Sequence, residues 1–351
     1  MSFERLAPEQ HDTLDGIPEP AENTLLLAHG EEANRLAAAY RSGKMHHALI
    51  LSGPRGIGKA TFAFHLAHHL LKYPDRQTAP EAFAKPEPAS ALHRMIASGA
   101  HPGVLYLARP LNEKTKAFRT AVTVEEIRRV NRFLSMTSHD GGYRIVIIDP
   151  ADDMNTNAAN ALLKNLEEPP PRTLFILISH AAGGLLPTIR SRCQTVRLHG
   201  LPPDDLAQVL SGFGLAVADA ASLAARAGGS VREAILLTEY GGLEIAGALE
   251  TIVQAGRFDA AAAVKLADAV AGRDQAIAFA LFNAHALDRV GAQATAAALA
   301  GDLVRAEALS ALWQETSRTI VETETYNLDK RQHVIGLVRR IQGVMAKKAA
   351  A

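Results

Sequence analysis

The sequence predicts an α/β fold built on a parallel sheet, with a helical C-terminal part, and three observations carry that reading. Tyr143-Arg144-Ile145-Val146-Ile147-Ile148-Asp149 is a short apolar, mostly β-branched run that ends in a carboxylate. It is too short for a buried helix and reads as a strand covered on both faces, the habit of parallel sheets. Leu174-Phe175-Ile176-Leu177-Ile178, ending at Ser179, is a second such strand. Gly53-Pro54-Arg55-Gly56-Ile57-Gly58-Lys59 lies between a third apolar run, Ala48 to Leu51, and a helical pattern. A glycine-rich turn placed there points successive backbone N–H groups at phosphate oxygens, helped by the N-terminus of the helix.

Composition bounds the function classes. A chain of 351 residues allows two or three domains and an ample core. Lys plus Arg and Asp plus Glu are 37 each, so no overall charge marks a nucleic-acid binder. Any DNA contact must come from a local patch or from partner chains. No apolar run approaches the ~20 residues that span a bilayer, and the acidic, polar N-terminus is unlike a signal peptide. A single cysteine, Cys193, permits no internal disulfide and fits a reducing, cytoplasmic compartment.

Taken in order, residues 1–22 carry Pro, Glu and Asp without a clear period and read as a loose lead-in. Asn23 to Tyr40 reads as a helix, then His46 and His47 precede the Ala48–Leu51 strand, packing beneath it or serving a chemical role. In the glycine loop, Lys59 would reach the β- and γ-phosphates. The motif asks for Ser or Thr directly after the lysine to hold Mg²⁺, and here that residue is Ala60. Thr61, one residue late, is rotated about 100° around the helix and cannot simply replace the missing ligand. Phe62 to Lys72 continues that helix. His65, His68 and His69 share a face at a spacing metals can use, but no acid or cysteine accompanies them, and a solvated surface is the expectation. Pro74, Pro80, Pro86 and Pro88 mark an excursion from the sheet enclosing a short helix near Ser90 to Ala97.

Val104 to Leu107 is the next strand. Thr123-Val124-Glu125-Glu126 matches a capping box and opens an amphipathic helix on Ile127, Val130, Phe133 and Leu134. Arg128, Arg129 and Arg132 lie on its other face, a basic contact surface or simply a solvated one. After the Tyr143–Asp149 strand, Asn155 to Glu168 reads as a helix stopped by Pro169-Pro170-Pro171. Cys193 reads as a small packing residue, since no basic partner in its motif would activate it. After Leu201-Pro202-Pro203 the composition turns to Ala- and Leu-rich helices, and from Leu243 to Lys348 the chain is helical by pattern.

The stretches "ALLKNLEEPPPRTLFILISH" and "LLPTIRSRCQ" resemble the AAA+ clamp-loader subunits of bacterial DNA polymerase III. The resemblance runs from about Leu25 to Arg232 and is strongest between Asp149 and Gln194. It implies an AAA+ P-loop domain with a parallel sheet over 23–200, a small helical lid over 201–240, and an all-α collar over 243–348 through which subunits assemble. It implies a nucleotide site, ATP with Mg²⁺, lined by Gly53, Gly56, Gly58, Lys59, Thr61 and Asp149. Ser179 falls where the family places a γ-phosphate sensor, though a strand-end hydroxyl capping a turn explains it equally. Arg232, in Gly228-Gly229-Ser230-Val231-Arg232, falls at a second sensor position.

Two departures point to a degenerate site. Hydrolysing relatives carry Glu after the strand-end Asp, where this chain has Pro150, and Ala60 removes the magnesium-binding hydroxyl. Many relatives also carry a four-cysteine zinc module, which one cysteine cannot build, so no zinc is expected. The resemblance makes Arg192, in Ser191-Arg192-Cys193, an arginine finger directed at a neighbour's ATP. The implied partners are gamma/tau-type and delta-type subunits, and through them the sliding clamp and primed DNA, with no membrane. Two alternatives stay open: an active gamma/tau-type motor, which the intact glycine loop and Lys59 keep alive, and a P-loop enzyme acting on a small molecule.

Overall fold

The computed structural model describes residues 5–112, 114–115, 117–135, 142–255 and 257–346. It divides into two compact units, Met1–Ala234 and Ile235–Ala351. Residues 1–4 of the expected lead-in and 347–348 of the expected collar lie outside the described residues.

The first unit is organised by five parallel strands in the order β2-β3-β4-β1-β5. In chain order its elements are α1 (Gly30–Ser42), β1 (Ala48–Ser52), α2 (Lys59–Lys72), α3 (Ala91–Ala97), β2 (Val104–Leu107), α4 (Val124–Ser135), β3 (Arg144–Ile148), α5 (Thr156–Glu167), β4 (Thr173–Ser179), α6 (Pro187–Arg190) and β5 (Gln194–Arg197). Then come α7 (Pro203–Gly212), α8 (Ala220–Ala227) and the start of α9 (Val231–Glu239). Every residue of β4 is buried, as are Ala48 to Leu51 and Ile145 to Ile148. Because strand side chains alternate between faces, Ile50, Val146, Ile148, Phe175 and Leu177 join one core cluster with α4 and α5 residues such as Ile127, Val130, Leu162 and Leu166. Each such side chain contributes ~1.5–3 kcal/mol by leaving water. The register sets Ser52 beside Ser179 and Ile148 beside Leu177, so the polar strand ends gather on one edge.

Local signals explain the helix starts. Ser90 caps α3 by accepting from the His93 N–H, and Asn155 caps α5 by accepting from the Ala158 N–H. At α4, the Glu126 carboxylate reaches back to the Thr123 N–H at 2.8 Å. The Thr123 hydroxyl also donates to Glu126 at 2.7 Å rather than accepting from the first turn. Arg128, Arg129 and Arg132 are exposed, and Arg128 pairs with Glu125 at 2.5 Å.

Three expectations need correction. The first helix starts at Gly30, not Asn23: the Asn23 side chain accepts from the Leu25 N–H and its carbonyl is taken by the His65 ring, which holds residues 23–29 off the helix. The lead-in is not loose. Arg5 pairs with Glu19 at 2.8 Å and donates to the Leu14 carbonyl, Glu22 accepts from the Ala7 and Glu19 N–H groups, and Leu14 is buried.

Third, His65, His68 and His69 are buried rather than on a solvated face, because α2 is covered beyond its sheet-facing side. His69 sits among Tyr40, Tyr73 and Phe83, and its Nδ1 accepts from the Ala84 N–H at 3.2 Å. Among the described residues no group of three or more His, Cys, Asp or Glu could hold a metal ion. No helix among them is long and apolar enough to cross a membrane.

The second unit is helical: the end of α9, then α10 (Gly242–Gln254), α11 (Ala260–Val270), α12 (Ala276–Leu299), α13 (Leu303–Thr325) and α14 (Lys330–Ala346). The long pair α12 and α13 pack along each other, and Asp302 caps α13 by accepting from the Arg305 N–H. Inside, His333 of α14 bonds the Asn283 side chain of α12 at 3.0 Å and lies 3.3 Å from the Thr323 hydroxyl of α13.

Burial pulls His69 and His333 down to about 4, so both are neutral when folded and protonate first in the unfolded chain. A depressed histidine contributes stability that is full above pH ~6.5 and is lost as pH falls toward 4. Each unit is therefore expected to lose roughly 1–2 kcal/mol per histidine between pH 7 and pH 5. Urea unfolding at the two pH values checks this, with His69→Gln and His333→Gln each flattening the dependence.

Candidate nucleotide site

The site grows from the sheet edge where β1, β3 and β4 end. The Gly53 N–H donates to the Ser179 carbonyl at 3.3 Å, so the glycine loop leaves β1 tied to the end of β4. Gly56 has φ +75°, and a Cβ there would lie 2.3 Å from the Ser230 Oγ and 2.6 Å from the Arg232 Cβ. Only glycine permits that backbone and that approach. The approach is fixed by the Val231 N–H, which donates to the Gly56 carbonyl at 3.0 Å. At the next turn, the His29 ring N–H donates to the Ile57 carbonyl at 2.8 Å, beside Gly58.

Lys59 is buried, and its ammonium folds back onto the loop, donating to the Gly53 carbonyl at 2.7 Å and to the Pro54 carbonyl. Burial pulls it down to about 8, against the opposing pull of Asp149 and Asp152. Thr61 is buried in the body of α2. Asp149 accepts from the Tyr106 hydroxyl at 3.0 Å. Desolvation at the strand end pushes its carboxyl up to about 7, and the negative charge of Asp12 adds to the rise.

Ser179 is fully buried and its hydroxyl donates to Asp152 at 2.8 Å, while the His180 N–H donates to the other oxygen of Asp152 at 2.5 Å. Asp153 is engaged by Arg109. The two acids that follow Pro150 thus hold neighbouring polypeptide. Arg192 lies away from this edge. Its guanidinium pairs with Glu167 at 2.7 Å and donates to the Thr188 carbonyl at 2.9 Å. Cys193 is pushed up to about 11 by burial, an inert thiol.

Arg232 lies beside the loop, and its partner there is one that sequence reasoning missed. Arg232 donates to the Asp12 carbonyl and lies 3.9 Å from the Asp12 carboxylate, which Arg55 also bonds at 3.1 Å. No sequence signal ties residue 12 to residue 232. His29 and Tyr106, the other unforeseen members, carry equally little local signature.

Parallel strand order, a glycine loop leaving the inner strand β1, and an acid ending β3 define an AAA+-type P-loop domain. A family model described as "DNA polymerase III, delta subunit" matches residues 28–202. The chain belongs to the delta-prime family of DNA polymerase III subunits. It is 41% identical over 147 residues to DNA polymerase III subunit delta' of Pseudomonas aeruginosa, covering 42% of this chain and 41% of that one. Against subunit delta' of Escherichia coli the identity is 34% over 169 residues, 48% and 46% of the two chains. It is also 30% identical over 231 residues to subunit gamma/tau of Mycobacterium bovis, 62% of this chain and 36% of that one. The matches thus span less than half the length of these relatives. A solved gamma subunit-related protein of Thermotoga maritima aligns at 16% identity with a TM-score of 0.43, over 90% of this chain and 99% of that one.

Removing the Asp152 carboxylate strips partners from a buried hydroxyl and a backbone N–H, each costing ~1–3 kcal/mol when orphaned. Asp152→Ala is expected to lower the unfolding free energy of the first unit by roughly 2–4 kcal/mol. A urea curve within 0.5 kcal/mol of the parent, on the order of a silent surface change, would refute the tie.

Proposed function

We propose that this chain is a delta-prime-type subunit of the bacterial DNA polymerase III clamp loader. It supports ATP-dependent loading of the sliding clamp onto primed DNA and is itself a poor or inactive ATPase. The observation that carries the reading is Pro150, which follows the strand-end Asp149 where a hydrolysing enzyme needs a carboxylate to orient water. Neighbouring acids do not substitute, since Asp152 and Asp153 are committed to Ser179, His180 and Arg109.

The donor set fits a polyphosphate in part, through the loop amides, Lys59, Arg55 and Arg232. It fits Mg²⁺ poorly, with Ala60 lacking the hydroxyl and Asp149 raised to about 7. Phosphoryl transfer depends on positioning and charge stabilisation, and both supports are thinned. The purified chain is expected to hydrolyse ATP negligibly. A steady-state phosphate-release assay checks this, and Pro150→Glu alone should not restore turnover because Ala60 remains. The gamma/tau-type motor is the second reading, favoured by the intact glycine loop and the gamma/tau relative. Hydrolysis at motor rates that Lys59→Ala abolishes would establish it instead.

In this reading Arg192 acts in trans. A guanidinium is permanently charged and presents a planar fork to phosphate oxygens. Its Glu167 partner is half-exposed, so the pair is screened and inexpensive to exchange for a neighbour's γ-phosphate. Gamma/tau- and delta-type subunits are the partners, and the helical second unit provides the assembly surface. Arginine fingers contribute roughly 10³–10⁵ in rate. Arg192→Ala in the reconstituted complex is expected to depress ATP turnover at the adjacent site without loss of assembly. Unchanged turnover and clamp loading would reject the finger and leave Arg192 as a structural partner of Glu167.

A further inference from the structure

The glycine loop is met by a segment of the same chain. Residues 5–22 fold back on themselves through Arg5, Glu19 and Glu22, with Leu14 buried as an apolar anchor. That anchoring holds His11 and Asp12 against the first unit. Arg55 of the loop donates to the Asp12 carboxylate at 3.1 Å and lies 3.3 Å from the His11 ring nitrogen. Arg232, at the start of α9, takes the Asp12 carbonyl and faces its carboxylate at 3.9 Å.

Asp12 is a carboxylate shared between two guanidiniums that flank a phosphate-binding loop. Burial pushes its carboxyl upward, but Arg232, His11 and Arg55 outweigh burial and hold it below the usual carboxylate range. It is therefore an anion at neutral pH. Its charge reaches deep enough to be felt at Asp149, whose carboxyl it helps to raise.

We infer that the lead-in is an intramolecular plug, in which Asp12 takes up Arg55 and Arg232, the cations that would otherwise receive the phosphates of a nucleotide. This rests on the proposed function and deepens it. A subunit that does not turn over ATP is held in one state by an internal anion rather than by a bound nucleotide. A polyphosphate can enter only by displacing Asp12, so apparent affinity falls with the fraction of chains that have the lead-in released. No bond is made or broken, and the exchange is one anion for another.

The test uses the full chain with Asp12→Ala, Asp12→Asn and the charge-retaining Asp12→Glu. Calorimetry with Mg-ATP and, separately, inorganic triphosphate reads affinity, and hydrogen exchange reads the amides of residues 6–15. Asp12→Ala and Asp12→Asn are expected to bind both probes about tenfold more tightly than the parent, a change of ~1.4 kcal/mol, with faster exchange in the lead-in. Asp12→Glu should stay near the parent, and triphosphate added to the parent should speed exchange over residues 6–15. Affinities of the Ala and Asn variants within about twofold of the parent, below ~0.5 kcal/mol, overturn the plug. So does failure of all forms to bind either probe, or a lead-in that stays protected without the carboxylate. Appearance of ATP turnover in Asp12→Ala, with tighter binding, would leave the plug standing and remove the poor-ATPase reading instead.

Discussion

Burial of the inner strands on both faces governs where this protein can hold chemistry. A strand covered on two sides admits almost no polar side chain along its length, since a polar group without a partner costs several kcal/mol there. Polar residues are pushed to the strand ends, and parallel pairing brings the same ends together. Ser52 at the end of β1 lies beside Ser179 at the end of β4, with Asp149 just past β3. The glycine loop, Lys59 and the Tyr106–Asp149 bond follow from that single edge. Burial there lowers Lys59 to about 8 and raises Asp149 to about 7, in each case against the attraction between the two charges.

What could be read from the sequence follows the range of the interactions concerned. The inner strands, the caps at Ser90 and Asn155, and the glycine loop are written in contiguous residues, and the structure has them where the pattern puts them. Failures came where a distant partner overrides the local pattern. The carbonyl of Asn23 is claimed by His65, 42 residues on, and the helix expected from Asn23 starts seven residues later. The triple histidine face of α2 reads as polar by composition, yet a neutral imidazole is compact enough to be buried among aromatics when a backbone group supplies its bond, as Ala84 does for His69. The lead-in, poor in period and rich in proline, gives no hint that Leu14 is an anchor or that Asp12 meets Arg232, because both depend on contacts across the whole first unit.

The sites at Asp152 and Ser179 show a related limit. From sequence, a strand-end serine near an acid can be a phosphate sensor or a turn cap. In the structure the Ser179 hydroxyl is already spent on Asp152, whose second oxygen takes the next backbone N–H. With Ser179 fully buried and both Asp152 oxygens committed, this pair behaves as the clasp between the end of β4 and the segment after β3. That role needs no nucleotide.

The glycine loop itself is weaker evidence of catalysis than its sequence suggests. Gly56 is required by the approach of α9: a Cβ would collide with Ser230 and Arg232, and the Gly56 carbonyl is the acceptor that fixes Val231. His29 is tied to the Ile57 carbonyl, and Lys59 to the carbonyls of Gly53 and Pro54. Each is a structural bond that would be lost if the loop were replaced, whether or not a phosphate ever arrives. The loop is thus the hub on which β1, β4, the start of α9 and the lead-in are registered, a structural need that holds with or without turnover. The proposed loss of catalysis therefore rests on Ala60 and Pro150 and not on the loop, whose own bonds are structural.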